Sequence, residues 1–172
     1  MAGRGVHYAI TAEMAARIDP ERPHSNADVL AFIDYLDTHF TPLLAEGWVQ
    51  ETDKAWDPIH RCLTDGKLEE GDTPSHLCVL GATDYFWVVR DDGQVDWIVN
   101  VLDPGEVRQA TEAIRGIDRA ELRRRYDAID PADYDGLVED DFEYMWSWFP
   151  QLQAFFQRAA ESGRWVVFLA GL

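Results

Sequence analysis

The chain has 172 residues, of which 47% are hydrophobic and 12% are aromatic, which is enough to form one domain with a sizeable core. Its formal net charge of −17 argues against binding to nucleic acids or anionic membranes, because a negative surface repels phosphate groups, and it favours a basic protein partner. No apolar run approaches the roughly 18 residues that would span a membrane, and the N-terminus lacks the apolar segment of a signal peptide. We therefore expect one cytoplasmic domain over residues 1–172. In that compartment Cys62 and Cys78, which form no Cys-x-x-Cys pair, are expected to be buried, inert thiols.

The first part of the chain predicts a short strand followed by helices. Residues 6–10 are rich in β-prone side chains. Ser25 and Asp28 have the spacing of a capping box, and the apolar residues that follow recur at helical intervals. Pro42 and Gly47 are expected to break this helix. Four of the predicted helices have one clear capping residue each at the N-terminus: Thr11, Ser25, Asp103 and Asp118.

A third helix is predicted within residues 53–66, but its first turn can be read in two ways. Either Asp53 caps a helix that tolerates Pro58 near its start, or Asp57 is the cap and Pro58 takes the first helical position. Gly66 is expected to end the segment.

The second part of the chain predicts more strands, two helices that follow Asp103 and Asp118, and a long terminal helix. Apolar β-prone runs occur at residues 76–80, 86–90, 95–101 and 165–169. The turn at 91–93 predicts a hairpin, and the acidic stretch 127–141 predicts a loop. The long helix starts near Glu139, and Pro150 is expected to kink or split it. The predicted fold class is α+β: a small mixed or antiparallel sheet packed with about six helices.

Sequence motifs for cofactors and metals are absent. There is no phosphate-binding loop, dinucleotide fingerprint, nucleophile elbow or zinc-protease helix. One acidic segment resembles part of an EF-hand loop, but aligning Gly136 places Pro131 at the first ligand and Phe142 at the last. His76 and Cys78 would share one face of a strand, which supplies only two of the four ligands of a structural zinc. We predict no metal and no cofactor.

His60 is the best candidate for a catalytic residue. On a helix it would lie one turn from Trp56 and Asp57, so Asp57 could orient the imidazole for acid–base chemistry. In the alternative, Trp56 packs in the core and His60 bonds a backbone carbonyl at its edge. The candidate ligand-binding residues are Trp56, Lys54 and Trp148, the last within an aromatic-rich helix that either fills the core or lines a pocket or partner surface.

The central segment resembles the signature of one family of small bacterial proteins. The residues that carry the resemblance are Asp53-Lys54-x-Trp56-x-x-Ile59-His60 followed by Leu63-Thr64-x-Gly66. They are similar to the motif of the YfbM-like family, and Pro58 departs from its pattern. The start of the chain, from Gly5 to Tyr8, and its final helix and strand resemble the corresponding family segments. The resemblance implies a compact α+β domain over nearly the whole chain and carries no assigned reaction.

The functional prediction is therefore non-catalytic binding of a basic protein or a small ligand. Neutralisation of a basic toxin, as by an immunity protein, is one concrete form of it. The alternative is a small hydrolytic enzyme with a cleft built around His60, Asp57 and Trp56. The sequence leaves the oligomeric state open.

Overall fold

A computed structural model describes residues 3–18, 24–68, 71, 73–81, 84–136 and 139–172, and the element counts refer to these residues. Six α-helices and one five-stranded antiparallel sheet form a single α+β domain, which confirms the predicted fold class. In chain order the elements are β1 (Gly5–Ile10), α1 (Ala12–Ala15), α2 (Asn26–Ala45), β2 (Val49–Asp53), α3 (Trp56–Leu63), a 3₁₀ helix (Pro74–Cys78), β3 (Asp84–Val89), β4 (Val95–Leu102), α4 (Pro104–Ile114), α5 (Arg119–Tyr126), α6 (Glu139–Glu161) and β5 (Trp165–Gly171). None of the helices in this part of the chain is long and apolar enough to cross a membrane.

The predicted C-terminal strand lies at the centre of the sheet, whose strand order is β2-β1-β5-β4-β3. Its residues 166–170 are all buried, because helices cover both faces of the sheet. Val167 and Leu169 face α1 and α2, whereas Val166 and Phe168 face the layer that contains α3 to α6. The sheet therefore divides the core into two parts.

The predicted caps and the predicted hairpin are confirmed. The side chains of all four capping residues accept a backbone N–H from the first turn of the helix that follows: Thr11, Ser25, Asp103 and Asp118. Asp103 and Glu106 form a full capping box, as do Ser25 and Asp28. Strands β3 and β4 pair in an antiparallel hairpin across the turn at Asp91-Asp92-Gly93.

The predicted break of α2 at Pro42 was wrong, and the split of α6 that was one alternative for Pro150 does not occur. Helix α2 continues through Pro42 and ends before Gly47, which has a φ of 74°. Helix α6 is not split at Pro150 and runs from Glu139 to Glu161. In both cases apolar side chains beyond the proline, such as Leu43 and Leu152, are buried in the core. This burial outweighs the loss of one backbone hydrogen bond in each helix.

The prediction of a strand at residues 76–80 was also wrong. The segment forms the 3₁₀ helix instead, with Pro74 at its first position, where its fixed φ and missing N–H are compatible with a helical turn. The backbone carbonyl of Cys78 accepts a hydrogen bond from Nε2 of His7 at 2.8 Å. His76 and Cys78 therefore do not share the face of a strand and do not form a two-ligand corner.

The start of the third helix agrees with neither predicted capping scheme. Asp53 is the last residue of β2, a short strand that the sequence did not reveal, and has a φ of 43°. Ala55 occupies the N-cap position and makes no side-chain bond there. Asp57 and Pro58 are the second and third residues of α3, where the missing N–H of proline leaves no helical bond unmade.

His7 gives folding a dependence on pH. Its ring is fully buried and lies 4.7 Å from the ring of Phe168, and burial lowers its pKa to about 4. In the unfolded chain the pKa returns to about 6.5, so the unfolded state binds a proton that the folded state refuses between these values. Proton binding by unfolded His7 therefore costs the folded state almost nothing well above pH 6.5. The free energy of unfolding declines as the pH falls from about 6.5 toward 4.

We expect His7 to account for a loss of about 2 kcal/mol in the free energy of unfolding between about pH 7 and pH 5. Urea denaturation of the wild type and of His7→Gln at both pH values measures this contribution, because the two proteins differ only at this residue. Equal changes with pH in the two proteins would show that His7 contributes nothing to the pH dependence.

Candidate functional site

A cleft of about 540 Å³ opens where α3 ends, beside the 3₁₀ helix, α4 and α5. Its size is typical of a small-molecule site. It is lined by Arg61, Thr64, Asp65, Gly66, Thr73, Ser75, Ala113, Arg124, Arg125 and Ala128. Three of these residues are arginines, although acidic residues outnumber Lys and Arg by 32 to 15 in the whole chain. The lining thus carries three cationic side chains and one carboxylate, Asp65, in an acidic protein.

Arg61 is the most deeply buried of the three arginines, with 9% of its side chain exposed. Its Nε donates to Oδ1 of Asp57 at 2.7 Å, one helical turn earlier, and its Nη1 donates to the carbonyl of Gly66 at 3.3 Å. The guanidinium carbon also lies 5.2 Å from the ring centre of Tyr134. These contacts fix the guanidinium in place and leave Nη2 without a hydrogen-bond partner among the described residues.

Arg124 and Arg125 project from α5 and share one carboxylate. Arg124 binds Glu121 through Nε at 2.9 Å and Nη2 at 2.8 Å, and Arg125 binds it through Nε at 2.7 Å. Hydrogen bonds from Arg124 and then Arg125 hold the pKa of Glu121 at about 2, so this carboxylate stays charged. Nη1 of Arg125 donates to the carbonyl of Cys62 at 3.3 Å. One terminal nitrogen of each guanidinium has no hydrogen-bond partner within the described parts of the chain.

The hydroxyl groups of the cleft hold its wall together. Oγ of Ser75 donates to the carbonyl of Leu63 at 2.6 Å and lies 2.7 Å from Oγ1 of Thr73. Oγ1 of Thr64 lies 2.8 Å from the carbonyl of Lys67. Because these hydroxyls bond the backbone or one another, the guanidiniums are the principal donors available to a ligand.

The three residues predicted to form a catalytic cleft do not line this opening. The side chains of His60 and Trp56 are buried in the core. Nε1 of Trp56 donates to the carbonyl of Gly3 at 2.9 Å, and its ring lies 5.7 Å from that of Phe168. Asp57 is committed to its ion pair with Arg61. The structure thus surrounds His60 with protein, whereas its neighbour Arg61 lines the cleft.

Comparison with known proteins shows the family. Residues 1–169 match the family described as "Domain of unknown function (DUF1877)". The chain belongs to the DUF1877 family. Among solved structures it is similar to the protein of unknown function YfbM from Escherichia coli, with 17% sequence identity, 99% of each chain covered and a TM-score of 0.59. At this identity the likeness concerns the fold alone, and no curated protein matches the chain significantly.

In this DUF1877 chain, the end of the central motif forms one wall of the cleft. Gly66 has a φ of 93°, and its N–H donates to the carbonyl of Arg61 at 3.1 Å, so the chain turns sharply after α3. Thr64 and Gly66 of the motif both line the opening. Arg61 lies within the motif but was not among the functional residues predicted from the sequence. The four-residue spacing of Asp57 and Arg61 was the available signal.

Two predicted ligand-binding residues of the DUF1877 chain lie near one another, outside the arginine cleft. Tyr144 on α6 donates its hydroxyl to Oδ2 of Asp53 at 2.6 Å, and its ring centre lies 6.2 Å from that of Trp148. Lys54 follows Asp53 directly and is exposed, whereas Trp148 is half-buried. Tyr144 therefore contacts both Asp53, which directly precedes Lys54, and Trp148. The roles of Lys54 and Trp148 in binding stay predictions.

Both cysteines are buried free thiols, as predicted. Burial raises the pKa of Cys62 to about 12 and also raises that of Cys78. Since the thiolate is the reactive form, both are poor nucleophiles and poor metal ligands in the folded state. In the parts of the chain that the structure describes, no group of three or more ligand-type side chains could hold a metal ion.

Proposed function

We propose that this DUF1877 domain is a non-catalytic binding domain that takes a small anionic ligand, a carboxylate or a phosphate, in the arginine cleft. The observation that carries the proposal is the buried guanidinium of Arg61 beside Arg124 and Arg125 in a chain with a net charge of −17. Asp57 pairs with Nε of Arg61, and guanidiniums bind carboxylates and phosphates through parallel hydrogen bonds from their remaining nitrogens.

The local charges support an anionic ligand. Asp57 and Glu121 are the only carboxylates paired to the three arginines among the described residues. An anion could therefore bind the remaining guanidinium nitrogens without displacing either carboxylate. Exposure rises from 9% for the side chain of Arg61 to 31% for Arg125 and 71% for Arg124, which orders them from the floor to the rim.

Binding fits the cleft better than hydrolysis does. The described lining residues include no histidine and no cysteine. Ser75, a possible nucleophile by residue type, uses its proton on the backbone carbonyl of Leu63. The hydrolytic alternative requires His60 to reach substrate, and its full burial does not support that role. A basic protein partner, which the overall charge predicts, would bind at another surface, because like charges repel it here.

We expect Arg124→Gln to weaken binding of an anion in the cleft by about tenfold, through loss of one charge-assisted contact at the rim. Titrations with inorganic phosphate and with succinate, followed by ¹⁵N–¹H NMR, measure the dissociation constant and locate the shifted amides. Arg124 is largely exposed, so the variant is expected to fold.

Arg90→Gln is the matched control, because Arg90 is exposed on the β3–β4 hairpin and pairs only with Asp92 among the described residues. Its affinity for both anions is expected to equal that of the wild type. The proposal is wrong if neither anion shifts the amides around Arg61, or if both variants bind phosphate and succinate as the wild type does.

A further inference from the structure

A groove of about 500 Å³ separates the edge strand β2 from helix α6, on a different part of the molecule from the arginine cleft. It is lined by Gly47, Val49, Gln50, Gln151, Ala154, Phe155 and Arg158. The α6 residues recur at intervals of three and four, so they form one face of the helix. The groove therefore has the backbone of an edge strand on one side and a helix face on the other.

The edge of β2 offers backbone hydrogen-bonding groups to the groove. The N–H of Ala9 donates to the carbonyl of Trp48 at 2.8 Å, so the backbone groups of Ala9 point toward β2, while the N–H of Trp48 donates to the carbonyl of Leu43. In an antiparallel pair the bonding alternates, and Val49, which lies opposite Tyr8, directs its N–H and C=O away from β1. The next outward carbonyl, that of Glu51, accepts Nε2 of Gln50 at 2.7 Å. A side-chain amide thus occupies a position that a peptide N–H could take.

The helix side of the groove combines an apolar floor with a positive end. Phe155 is almost fully buried, and Ala154 leaves room above it. The guanidinium of Arg158 lies 4.7 Å from the ring centre of Trp48, and that of Arg164 lies 3.9 Å from the same ring. Neither arginine has an ion-pair partner in the described parts of the chain. Nη1 of Arg164 donates to the carbonyl of Ala9 at 3.0 Å, and Glu46 lies within electrostatic range of this arginine. Arg158, which is exposed, is therefore the cation available to a ligand.

We propose that this groove binds an extended peptide segment of another protein, which adds a strand to β2 and places a carboxylate on Arg158. The edge backbone of Val49 supplies main-chain hydrogen bonds, and the floor at Phe155 accepts an apolar side chain of the peptide. Charge complementarity selects a carboxylate, because the exposed guanidinium of Arg158 has no ion-pair partner among the described residues, in a chain whose net charge of −17 otherwise disfavours anions. The carboxylate comes from the C-terminus of the peptide or from an Asp or Glu side chain.

The probe for this proposal is a library of random heptapeptides fused to the C-terminus of a carrier protein, selected against the full chain. Enriched sequences are synthesised with a free C-terminus, with a C-terminal amide, and with internal Asp and Glu replaced by Asn and Gln. Fluorescence anisotropy then gives their affinities. We expect particular peptide sequences to be enriched. Loss of binding by the C-terminal amide would identify the C-terminus as the carboxylate, and loss of binding by the Asn and Gln form would identify a side chain.

Two variants test the place of binding. Arg158→Gln removes the charge, and Ala154→Trp fills the groove at an exposed position while leaving the charge intact. Each is expected to weaken binding at least about tenfold, with Arg90→Gln unchanged as the control. Far-UV circular dichroism and the thermal midpoint confirm folding of each variant. In the wild-type complex the amides of Val49 and Glu51 are expected to shift and to exchange more slowly.

Failure to enrich any sequence above the carrier alone would overturn the proposal. So would affinities that neither variant changes, or amide shifts confined to the arginine cleft. Because phosphate and succinate report on that cleft separately, either proposal can fail while the other stands.

Discussion

Trp56→Ala is expected to lower the free energy of unfolding by about 3–5 kcal/mol, the usual cost of removing a large buried aromatic side chain. Trp56 is 1% exposed and packs against Phe168 of the central strand. The backbone of Gly5 lies so close that a Cβ there would sit 2.6 Å from Cδ1 of Trp56, so the indole is tightly enclosed. Its loss would also leave the carbonyl of Gly3 without its donor. Urea denaturation followed by circular dichroism measures the change.

Trp87→Ala is the matched control, since Trp87 is 41% exposed on β3 and its removal is expected to cost far less. The comparison separates a packing role for Trp56 from the predicted ligand-binding role. A Trp56→Ala protein of unchanged stability that no longer binds an anion would contradict the packing role.

Asp57→Asn is expected to destabilise the protein by about 3 kcal/mol, because it removes the carboxylate that pairs with a buried guanidinium. The two side chains are 17% and 9% exposed, and the bond from Nε of Arg61 to Oδ1 of Asp57 is 2.7 Å long. Asparagine keeps the size and one acceptor oxygen but loses the charge. The free energy of unfolding from urea titration, at low and at high salt, checks the result.

Asp65→Asn serves as the control, because Asp65 lines the same cleft but is exposed and makes no ion pair among the described residues. We expect it to change stability by no more than about 0.5 kcal/mol. If an anion binds in the cleft, saturating phosphate is expected to restore part of the stability of Asp57→Asn. The bound anion can pair with Arg61 in place of the lost carboxylate. Equal stabilities of the two variants would contradict the structural role of Asp57.

The net charge of this molecule and the charges around its clefts favour binding partners of opposite sign. A total of −17 predicts a basic partner and repulsion of anions. Three arginines around one cleft, and two more stacked on Trp48, reverse that expectation at short range. Screening makes nearby charges dominate the potential inside a cleft, so their positions matter more there than the sum over the chain.

The sequence alone determined the features that depend on neighbours in the chain. The capping boxes at Ser25 and Asp103 and the hairpin at Gly93 involve residues a few positions apart, so their chemistry can be read directly from the sequence. The buried strand at the C-terminus was equally clear, because a continuous apolar run needs cover on both faces. The family motif was also recognisable, and the family is confirmed.

Only the tertiary structure decided the features that depend on distant burial. Helices α2 and α6 pass through Pro42 and Pro150 because the residues beyond each proline fill the core. His60 is buried while Arg61 beside it lines a cleft, a difference set by which elements pack on each side of α3. Arg61 and Arg124 are far apart in the chain and line one cleft only because α3 and α5 pack together. Spacing along the sequence carries no information about such contacts, since long-range packing fixes them.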